Sequence, residues 1–211
     1  MTKRVATLAE EYSLLFSSRL WVMGAGIGIF LVLVAYVVNR FAGLRATRLS
    51  MDGHSIADVV LDSIPKFDTL YFHLGALNVL VVVAIVTMVV FPRRFPMAMF
   101  VLAATIFVRA LFINMTHLGM YEDAQRIYGA GVTFGGDLFF SGHVALPFVL
   151  AMTFWNVPWA RYFFFLCSFV LGVQSLLGHL HYTIDVLAAP FIAYGIYRAV
   201  ARLLPRFEAM Q

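Results

Sequence analysis

Charged side chains are scarce in this sequence, and cysteine is nearly absent. Asp, Glu, Lys and Arg make up 12% of the 211 residues, whereas 62% are hydrophobic. A soluble globular domain carries roughly 25% charged residues, so this composition argues against a soluble domain. Cys167 is the one cysteine, which excludes an internal disulfide. The basic residues behind the net charge of +4 are scattered rather than clustered, which argues against a nucleic-acid partner.

Long apolar stretches take the place of the missing charge. They are residues 20–38, 69–91, 138–160 and 162–184, which carry no charge, and residues 95–119 and 182–203, which carry one to three charges. About 20 apolar residues cross the hydrocarbon core of a bilayer. We therefore predict an all-α membrane protein with six transmembrane helices in one domain, residues 20–211. Residues 1–19 have apolar side chains at helical spacing, and we expect them to form an amphipathic helix at the membrane interface.

The distribution of positive charge predicts the orientation of these helices. If successive spans alternate in direction, nine Lys and Arg residues lie on the side of the two termini and five lie on the opposite side. Positive charge marks the cytoplasmic side, so we expect both termini to be cytoplasmic. All six histidines and eight of the eleven carboxylates fall on or near the other side. Packing gives no reason for this segregation, whereas a polar cavity open to the extracytoplasmic side does.

Three ionisable residues at the outer ends of predicted spans form the most informative pattern. His143 begins the fourth span, and His181 and Asp185 begin the sixth. His181 and Asp185 are four residues apart, so on a helix they would share one face. His143 and His181 are 38 residues apart, which corresponds to two membrane crossings. The sequence therefore predicts that the two histidines return to the same side of the membrane at similar depth.

This combination suits phosphoryl transfer. One imidazole can attack phosphorus, a carboxylate can orient that imidazole, and a second imidazole can protonate the departing oxygen. Ser141 and Gly142 are predicted to begin a helix, where free backbone N–H groups bind anions such as phosphate.

Two other interpretations of the histidines remain open. They could be polar residues that hydrogen-bond helices to one another. Alternatively, His179, His181 and Asp185 could bind zinc, although their spacing does not match a helical His-Glu-x-x-His pattern. We expect no metal and no cofactor.

The two segments that carry these residues resemble the sphingomyelin synthase family, a branch of the lipid phosphate phosphatase (type 2 phosphatidic acid phosphatase-like) superfamily. They read GDLFFSGH at 136–143 and HLHYTID at 179–185. Weaker similarity covers residues 61–65 and the surroundings of Arg109. The resemblance implies six transmembrane helices and an extracytoplasmic catalytic triad of His143, His181 and Asp185. It also implies transfer of phosphocholine or phosphoethanolamine from a glycerophospholipid to a lipid alcohol such as ceramide or diacylglycerol.

Differences from the broader phosphatases favour the transferase branch. Those enzymes have a phosphate-binding arginine after a serine, before the second histidine, where this sequence reads Gln174-Ser175. They also have proline where Phe140 precedes Ser141. A third difference is from the sphingomyelin synthase family itself and counts against full equivalence: its early Leu-Pro-Asp element reads Ile-Ala-Asp at 56–58. We expect a bacterial member in the inner membrane. The alternative is a lipid phosphatase or a phospholipase C-type hydrolase, which would use the same triad with water as the acceptor.

Several nearby residues are candidates for substrate binding. Arg109 could hold the phosphate in a bidentate manner, or it could form a structural ion pair. Asp137 and Tyr182 could hold a cationic headgroup by charge and cation–π contact, together with Tyr121, Glu122, Asp123 and Tyr128. For Glu122 and Asp123 the alternative is a solvated loop. A lipid transporter is a third hypothesis, but it predicts polar residues along whole helix faces, and here they stop near the outer third.

Overall fold

The computed structural model describes residues 2–50, 54–121, 124 and 135–209. Those residues contain eight α-helices: α1 Thr2–Ser17, α2 Arg19–Ser50, α3 Leu70–Val90, α4 Phe95–Met115, α5 Gly142–Thr153, α6 Pro158–Leu177, α7 Thr183–Leu203 and α8 Pro205–Glu208. Two short 3₁₀ turns, Leu61–Ser63 and Pro92–Arg94, precede α3 and α4. The predicted all-α membrane fold is confirmed, since five helices are long and apolar enough to cross a bilayer.

The fourth predicted span differs from the expectation. Residues 138–160 contain the 12-residue helix α5 and only the first residues of α6. The length of α5, about 18 Å, is shorter than the roughly 30 Å hydrocarbon core. Residues 138–141 precede the helix without helical structure, and Phe154 ends it before Pro158 begins α6. The described residues therefore contain five helices of full span length and one shorter apolar helix.

Small residues bring the helices of the bundle close together. A Cβ atom on Gly28 would lie 2.6 Å from the Cβ of Met99, so α2 and α4 pack too closely there for any larger residue. A Cβ atom on Gly172 of α6 would lie 3.1 Å from Val144 and 3.2 Å from Val186. Helices α5, α6 and α7 therefore meet at Gly172, just below the residues that carry the predicted triad.

Alternating helix direction collects the beginnings of α3, α5 and α7 and the ends of α2, α4 and α6 at one end of the bundle. There, Arg45 of α2 donates to Asn114 of α4 at 3.0 Å. At the opposite end, Trp21 Nε1 donates to the carbonyl of Pro92 at 2.9 Å, and Arg94 Nη1 donates to the carbonyl of Thr153 at 2.7 Å. Side-chain hydrogen bonds therefore connect different helices at both ends of the bundle.

The N-terminal segment forms the expected helix, α1, against the second of these ends. Tyr12 donates to the carbonyl of Val89 at 2.9 Å, and Arg93 Nε lies 2.6 Å from Glu11 Oε1. The position of α1 at a membrane interface stays a prediction, as does its separation from the domain of residues 20–211.

Candidate active site

His143, His181 and Asp185 lie together at the first end of the bundle. His143 Nδ1 lies 3.4 Å from His181 Nε2, and His181 Nδ1 lies 3.5 Å from Asp185 Oδ2. His181 is 4% exposed and Asp185 is fully buried. The matched depth that the spacing of 38 residues predicts is therefore present in the structure. Both contacts are longer than an ordinary hydrogen bond of about 2.7–3.2 Å, as is common when no substrate is bound.

The expectation that His181 and Asp185 share a helix face is wrong. His181 precedes the N-cap residue Tyr182, and α7 begins only at Thr183. Asp185 is the third residue of the helix and turns back toward its start, where Oδ2 accepts the backbone N–H of Tyr182 at 3.0 Å. This is the carboxylate half of a capping box. The same oxygen faces His181, so the helix cap rather than helical periodicity brings the pair together.

A backbone hydrogen bond connects the two histidine-bearing segments. The N–H of Ser141, the N-cap residue of α5, donates to the carbonyl of Asp185 at 3.0 Å. The starts of α5 and α7 are therefore held side by side, which brings the side chains of His143 and His181 next to each other. The Ser141 hydroxyl is fully buried and has no hydrogen-bond partner among the described residues. Its predicted substrate-binding role stays a prediction.

The proton positions follow from the partners of the two imidazoles. Asp185 faces His181 Nδ1, so the carboxylate favours the tautomer of His181 that carries its proton on Nδ1. His181 Nε2 then presents a lone pair to His143 Nδ1. Two lone pairs facing each other at 3.4 Å would repel, so the proton between the rings belongs on His143 Nδ1. The arrangement provides one nucleophilic nitrogen and one acidic N–H side by side.

Arg109 is engaged with the segment that leads into α5. Its Nη1 donates to Asp137 Oδ2 at 2.9 Å, its Nη2 to the backbone carbonyl of Asp137 at 2.6 Å, and its Nε to the carbonyl of Phe140 at 2.9 Å. Both side chains of the ion pair are 10% exposed. Arg109 Nη1 also lies 3.5 Å from Asn39 Oδ1. These contacts favour the structural ion pair over phosphate binding, because they engage four of the five guanidinium N–H groups. They also favour a structural role for Asp137 over contact with a headgroup.

Two glycines permit this close packing. A Cβ atom on Gly136 would lie 2.5 Å from the Cα of Thr47 in α2, and a Cβ atom on Gly142 would lie 3.1 Å from Arg109 Nε. The Gly136 N–H also donates to the Thr47 hydroxyl at 3.2 Å. The glycines of the GDLFFSGH segment therefore allow it to lie against both α2 and the guanidinium group.

Tyr182, a predicted headgroup ligand, connects loops instead. Its hydroxyl donates to the carbonyl of Gly119 at 2.8 Å and accepts the N–H of Ile56 at 3.1 Å, and the residue is 3% exposed. Its aromatic partner Tyr121 lies 6.1 Å away between ring centroids. Glu122, Asp123 and Tyr128, the other headgroup candidates, lie outside the described residues.

Asp58 holds the start of α7 in place. Its carboxylate accepts the backbone N–H and the hydroxyl of Thr183, both at 2.7 Å, and the N–H groups of Val60 and Leu61. Partial burial by itself raises the pKa of Asp58, but these hydrogen bonds together outweigh that effect and lower the pKa. Asp58 stands where the sphingomyelin synthase family has the aspartate of its Leu-Pro-Asp element, so the resemblance could have pointed to this residue.

His73 is a further residue of the site that the sequence analysis did not single out. Its ring centroid lies 4.6 Å from that of His143 in an edge-to-face arrangement, and its Nδ1 lies 2.7 Å from Gln174 Oε1. The available signals were its place at the outer end of residues 69–91 and the departure at Gln174-Ser175 from the Ser-Arg pair of the phosphatases. The structure shows that Gln174 contacts this histidine.

A cavity of about 140 Å³ reaches His143 from one side. Its polar lining comes from Asn39, Thr105, Arg109, Asp137 and His143, and the remainder is mostly apolar, with Leu77, Leu80, Ile106 and Leu146. In the ranges 2–50, 54–121 and 135–209, no three His, Cys, Asp or Glu side chains adopt a metal-binding arrangement. The expectation that no metal is needed stays a prediction.

The comparison with known families bears on the same part of the chain. Residues 135–202 match the family described as PAP2 superfamily C-terminal, and this segment contains His143, His181 and Asp185. No curated protein and no solved structure matches the chain. The match covers about a third of the sequence and supports the lipid phosphate phosphatase superfamily, whose members are generally phosphatases or phosphotransferases acting on lipid phosphates.

Proposed function

We propose that this chain is a phospholipid headgroup phosphotransferase that moves phosphocholine or phosphoethanolamine from a glycerophospholipid to a lipid alcohol such as ceramide or diacylglycerol. The observation that supports it most is the order of the three groups: Asp185, then His181, then His143, with 3.5 Å and 3.4 Å between the facing atoms. This order supplies an oriented nucleophile and an acid next to it. The catalytic roles of these residues are part of the proposal.

In the first step, His181 Nε2 forms a bond to the phosphorus of the donor, and the bond from phosphorus to the diacylglycerol oxygen breaks. His143, present as the imidazolium, gives its Nδ1 proton to that oxygen and becomes neutral, and diacylglycerol leaves. The positive charge on His181 is stabilised by Asp185. The product of this step is a phosphohistidine diester on His181.

In the second step, the hydroxyl of the acceptor attacks the same phosphorus, and the bond from phosphorus to His181 Nε2 breaks. His143, now neutral, takes the proton of the hydroxyl, so the acid of the first step acts as the base of the second. Both imidazoles return to their starting protonation. No metal takes part in either step.

The geometry adds one requirement to this mechanism. A phosphorus atom with its oxygens does not fit between two nitrogens that are 3.4 Å apart. The two imidazoles must therefore separate when the donor binds. His143 is the ring that borders the cavity, whereas His181 is 4% exposed. We therefore assign the movement to His143.

The test is incubation of the purified protein with headgroup-labelled phosphatidylcholine or phosphatidylethanolamine, with and without ceramide. We expect label in a new ceramide product, and we expect none from the His181→Ala variant. His117→Ala is the matched control because that histidine is exposed. Release of labelled phosphocholine or phosphoethanolamine, with no ceramide product, would indicate a phospholipase C-type hydrolase. Activity on phosphatidic acid alone would indicate a phosphatase.

The covalent intermediate is tested by acid-sensitive trapping of the labelled headgroup, followed by peptide mapping. We expect the label on the peptide that contains His181. Label on His143 would reverse the two roles. Transfer without any trapped label in a single turnover would contradict the covalent mechanism.

We also propose that the site faces the extracytoplasmic side of a bacterial inner membrane and that both termini are cytoplasmic. The nine-to-five split of basic residues supports this orientation. A cysteine placed at the exposed His54, in a Cys167→Ser background, should react with a membrane-impermeant reagent from the outside of intact cells. Reaction only after the membrane is opened would contradict the orientation.

A further inference from the structure

His73 is a buried histidine for which the proposed mechanism has no role. It lies on the first turn of α3, is 1% exposed, and its ring packs edge-to-face against His143. Its centroid is closer to that of His143, at 4.6 Å, than the centroid of His181, at 5.5 Å. The nearest imidazole neighbour of the predicted acid is therefore His73 rather than the predicted nucleophile.

Gln174 determines which nitrogen of His73 carries the proton. The Gln174 Nε2 donates to the hydroxyl oxygen of Thr69 at 2.7 Å, and Gln174 Oε1 faces His73 Nδ1 at 2.7 Å. An amide oxygen can only accept, so His73 Nδ1 must donate. His73 Nε2 is then left with a lone pair, and it is buried with no hydrogen-bond partner among the described residues.

His143 requires an acceptor of this kind. When His143 carries the proton that it gives to the leaving group, it is an imidazolium with two N–H donors. One donor, on Nδ1, faces His181. The residue four positions on is Pro147, so α5 supplies no carboxylate to the second donor at that position. His143 is partly buried, and a charged N–H in a partly buried site is stabilised by a hydrogen-bond partner.

We propose that His73 is a positioning residue for His143: its Nε2 lone pair accepts the hydrogen bond of the protonated His143 ring and holds that ring where it serves the leaving oxygen. This inference rests on the proposed function. The arrangement parallels the contact of Asp185 with His181, with one chemical difference. A carboxylate would stabilise the imidazolium strongly and make His143 a weaker acid, whereas a neutral imidazole orients the ring and leaves its proton available.

The role of the Nε2 atom can be separated from that of Nδ1 by amide substitutions. A glutamine side chain places a polar atom near the position of Nε2, and an asparagine side chain places one near the position of Nδ1. We expect His73→Gln to keep transfer from a phospholipid donor within about threefold of wild type. We expect His73→Asn and His73→Phe to lose about ten- to a hundredfold, the size of one hydrogen bond to a charged group.

The leaving group gives the readout that a merely structural role would not affect. p-Nitrophenyl phosphocholine loses p-nitrophenolate, which needs no proton from His143. His73→Asn and His73→Phe should therefore release p-nitrophenolate from this donor in a single turnover at close to the wild-type rate, while they fail with phosphatidylcholine. Gln174→Leu, which removes the acceptor for Nδ1, should show the same selective loss in a milder form and serves as a second variant.

Two results would overturn the inference. Equal activity of His73→Gln and His73→Asn would show that Nε2 has no special role. A parallel loss on both donors, with a lower thermal transition temperature, would show that His73 only packs. A failure of the proposed function would give a distinct result. Wild type would then be no more active than His181→Ala on either donor, and the proposed role of His73 would be contradicted as well.

Discussion

The buried ion pair between Arg109 and Asp137 allows a quantitative test of how the site is held. The substitution is Asp137→Asn, which keeps the shape of the side chain and removes its charge. At 2.9 Å, two unit charges attract each other by about 6 kcal/mol at an effective dielectric constant of about 20. The amide can still accept one hydrogen bond, so the net loss is smaller. Removal of one partner of a buried pair typically costs about 3–5 kcal/mol.

This loss corresponds to a measurable change in thermal stability. For a chain of this size, about 1 kcal/mol shifts the transition temperature by roughly 2–4 °C. We therefore expect Asp137→Asn to unfold about 6–20 °C below wild type in the same detergent. Arg109→Met should cost at least as much, because the carbonyls of Asp137 and Phe140 lose their donor as well.

The double variant Arg109→Met/Asp137→Asn completes the cycle. If the two side chains stabilise the fold through each other, the double variant should lose less unfolding free energy than the two single variants lose in total. The difference should be at least about 2 kcal/mol. Effects that add within about 0.5 kcal/mol would refute the ion pair as the stabilising feature. An unchanged transition temperature in Asp137→Asn, with a higher KM for a choline donor, would instead support the predicted headgroup contact.

Four further predictions concern single features of the site. Hydrogen bonds lower the pKa of Asp58 in the folded state. The contribution of Asp58 to folding stability is therefore fully present above its unfolded pKa of about 3.9 and is lost as pH falls through its folded pKa. The higher transition temperature of wild type over Asp58→Asn, measured at pH 7, should therefore begin to shrink below about pH 4 and disappear only below the lower folded pKa. His179 has a φ of 50°, so His179→Gly should unfold roughly 2–4 °C above His179→Ala, which keeps the strained backbone; equal values would contradict this. Gly142→Ala should lose more than about tenfold in transfer, since its Cβ would displace Arg109, and wild-type turnover would contradict it. Chelation should leave transfer intact; loss that zinc alone restores would contradict the metal-free mechanism.

The apolar windows of the sequence predicted most helices well, and the reason is compositional. Residues 69–91 became α3, Leu70–Val90, because a bilayer span requires about 20 apolar residues and little else. For residues 138–160, the same apolar composition led to the wrong prediction of a full-length transmembrane helix. A buried extended segment and a buried helix are equally apolar, so hydropathy could not show that α5 begins only at Gly142.

In the candidate active site, sequence spacing likewise predicted one feature, whereas the local contacts depend on the three-dimensional structure. The spacing of 38 residues correctly brought His143 and His181 together at one end of the bundle, although α5 is too short for the full crossing that the spacing assumed. The local arrangement was not predictable in the same way. His181 and Asp185 meet through a helix cap, and His73 meets His143 across two helices that are about 70 residues apart in sequence. No spacing rule identifies such a contact.

The short length of α5 explains why a charged site can lie inside a membrane domain. Helix α4 has 21 residues and α5 has 12, and Arg94 at the start of α4 bonds the last residue of α5, Thr153. At 1.5 Å per residue, α5 therefore begins about 13 Å below the far end of α4. Arg109 lies on the part of α4 beside this start, and the non-helical residues that lead into α5 contact it.

This recess places the reactive groups below the ends of the neighbouring helices. The cavity that reaches His143 has mostly apolar walls from α3, α4 and α5 and becomes polar at Arg109, Asp137 and His143. A phospholipid has the same order of chemistry along its length, with apolar chains next to a charged phosphate. A lipid whose chains lie along the apolar walls would thus present its phosphorus to His143 and His181 without leaving the bilayer. A soluble phosphate ester has no apolar part to occupy those walls, so we expect the enzyme to prefer long-chain donors over short-chain ones with the same headgroup.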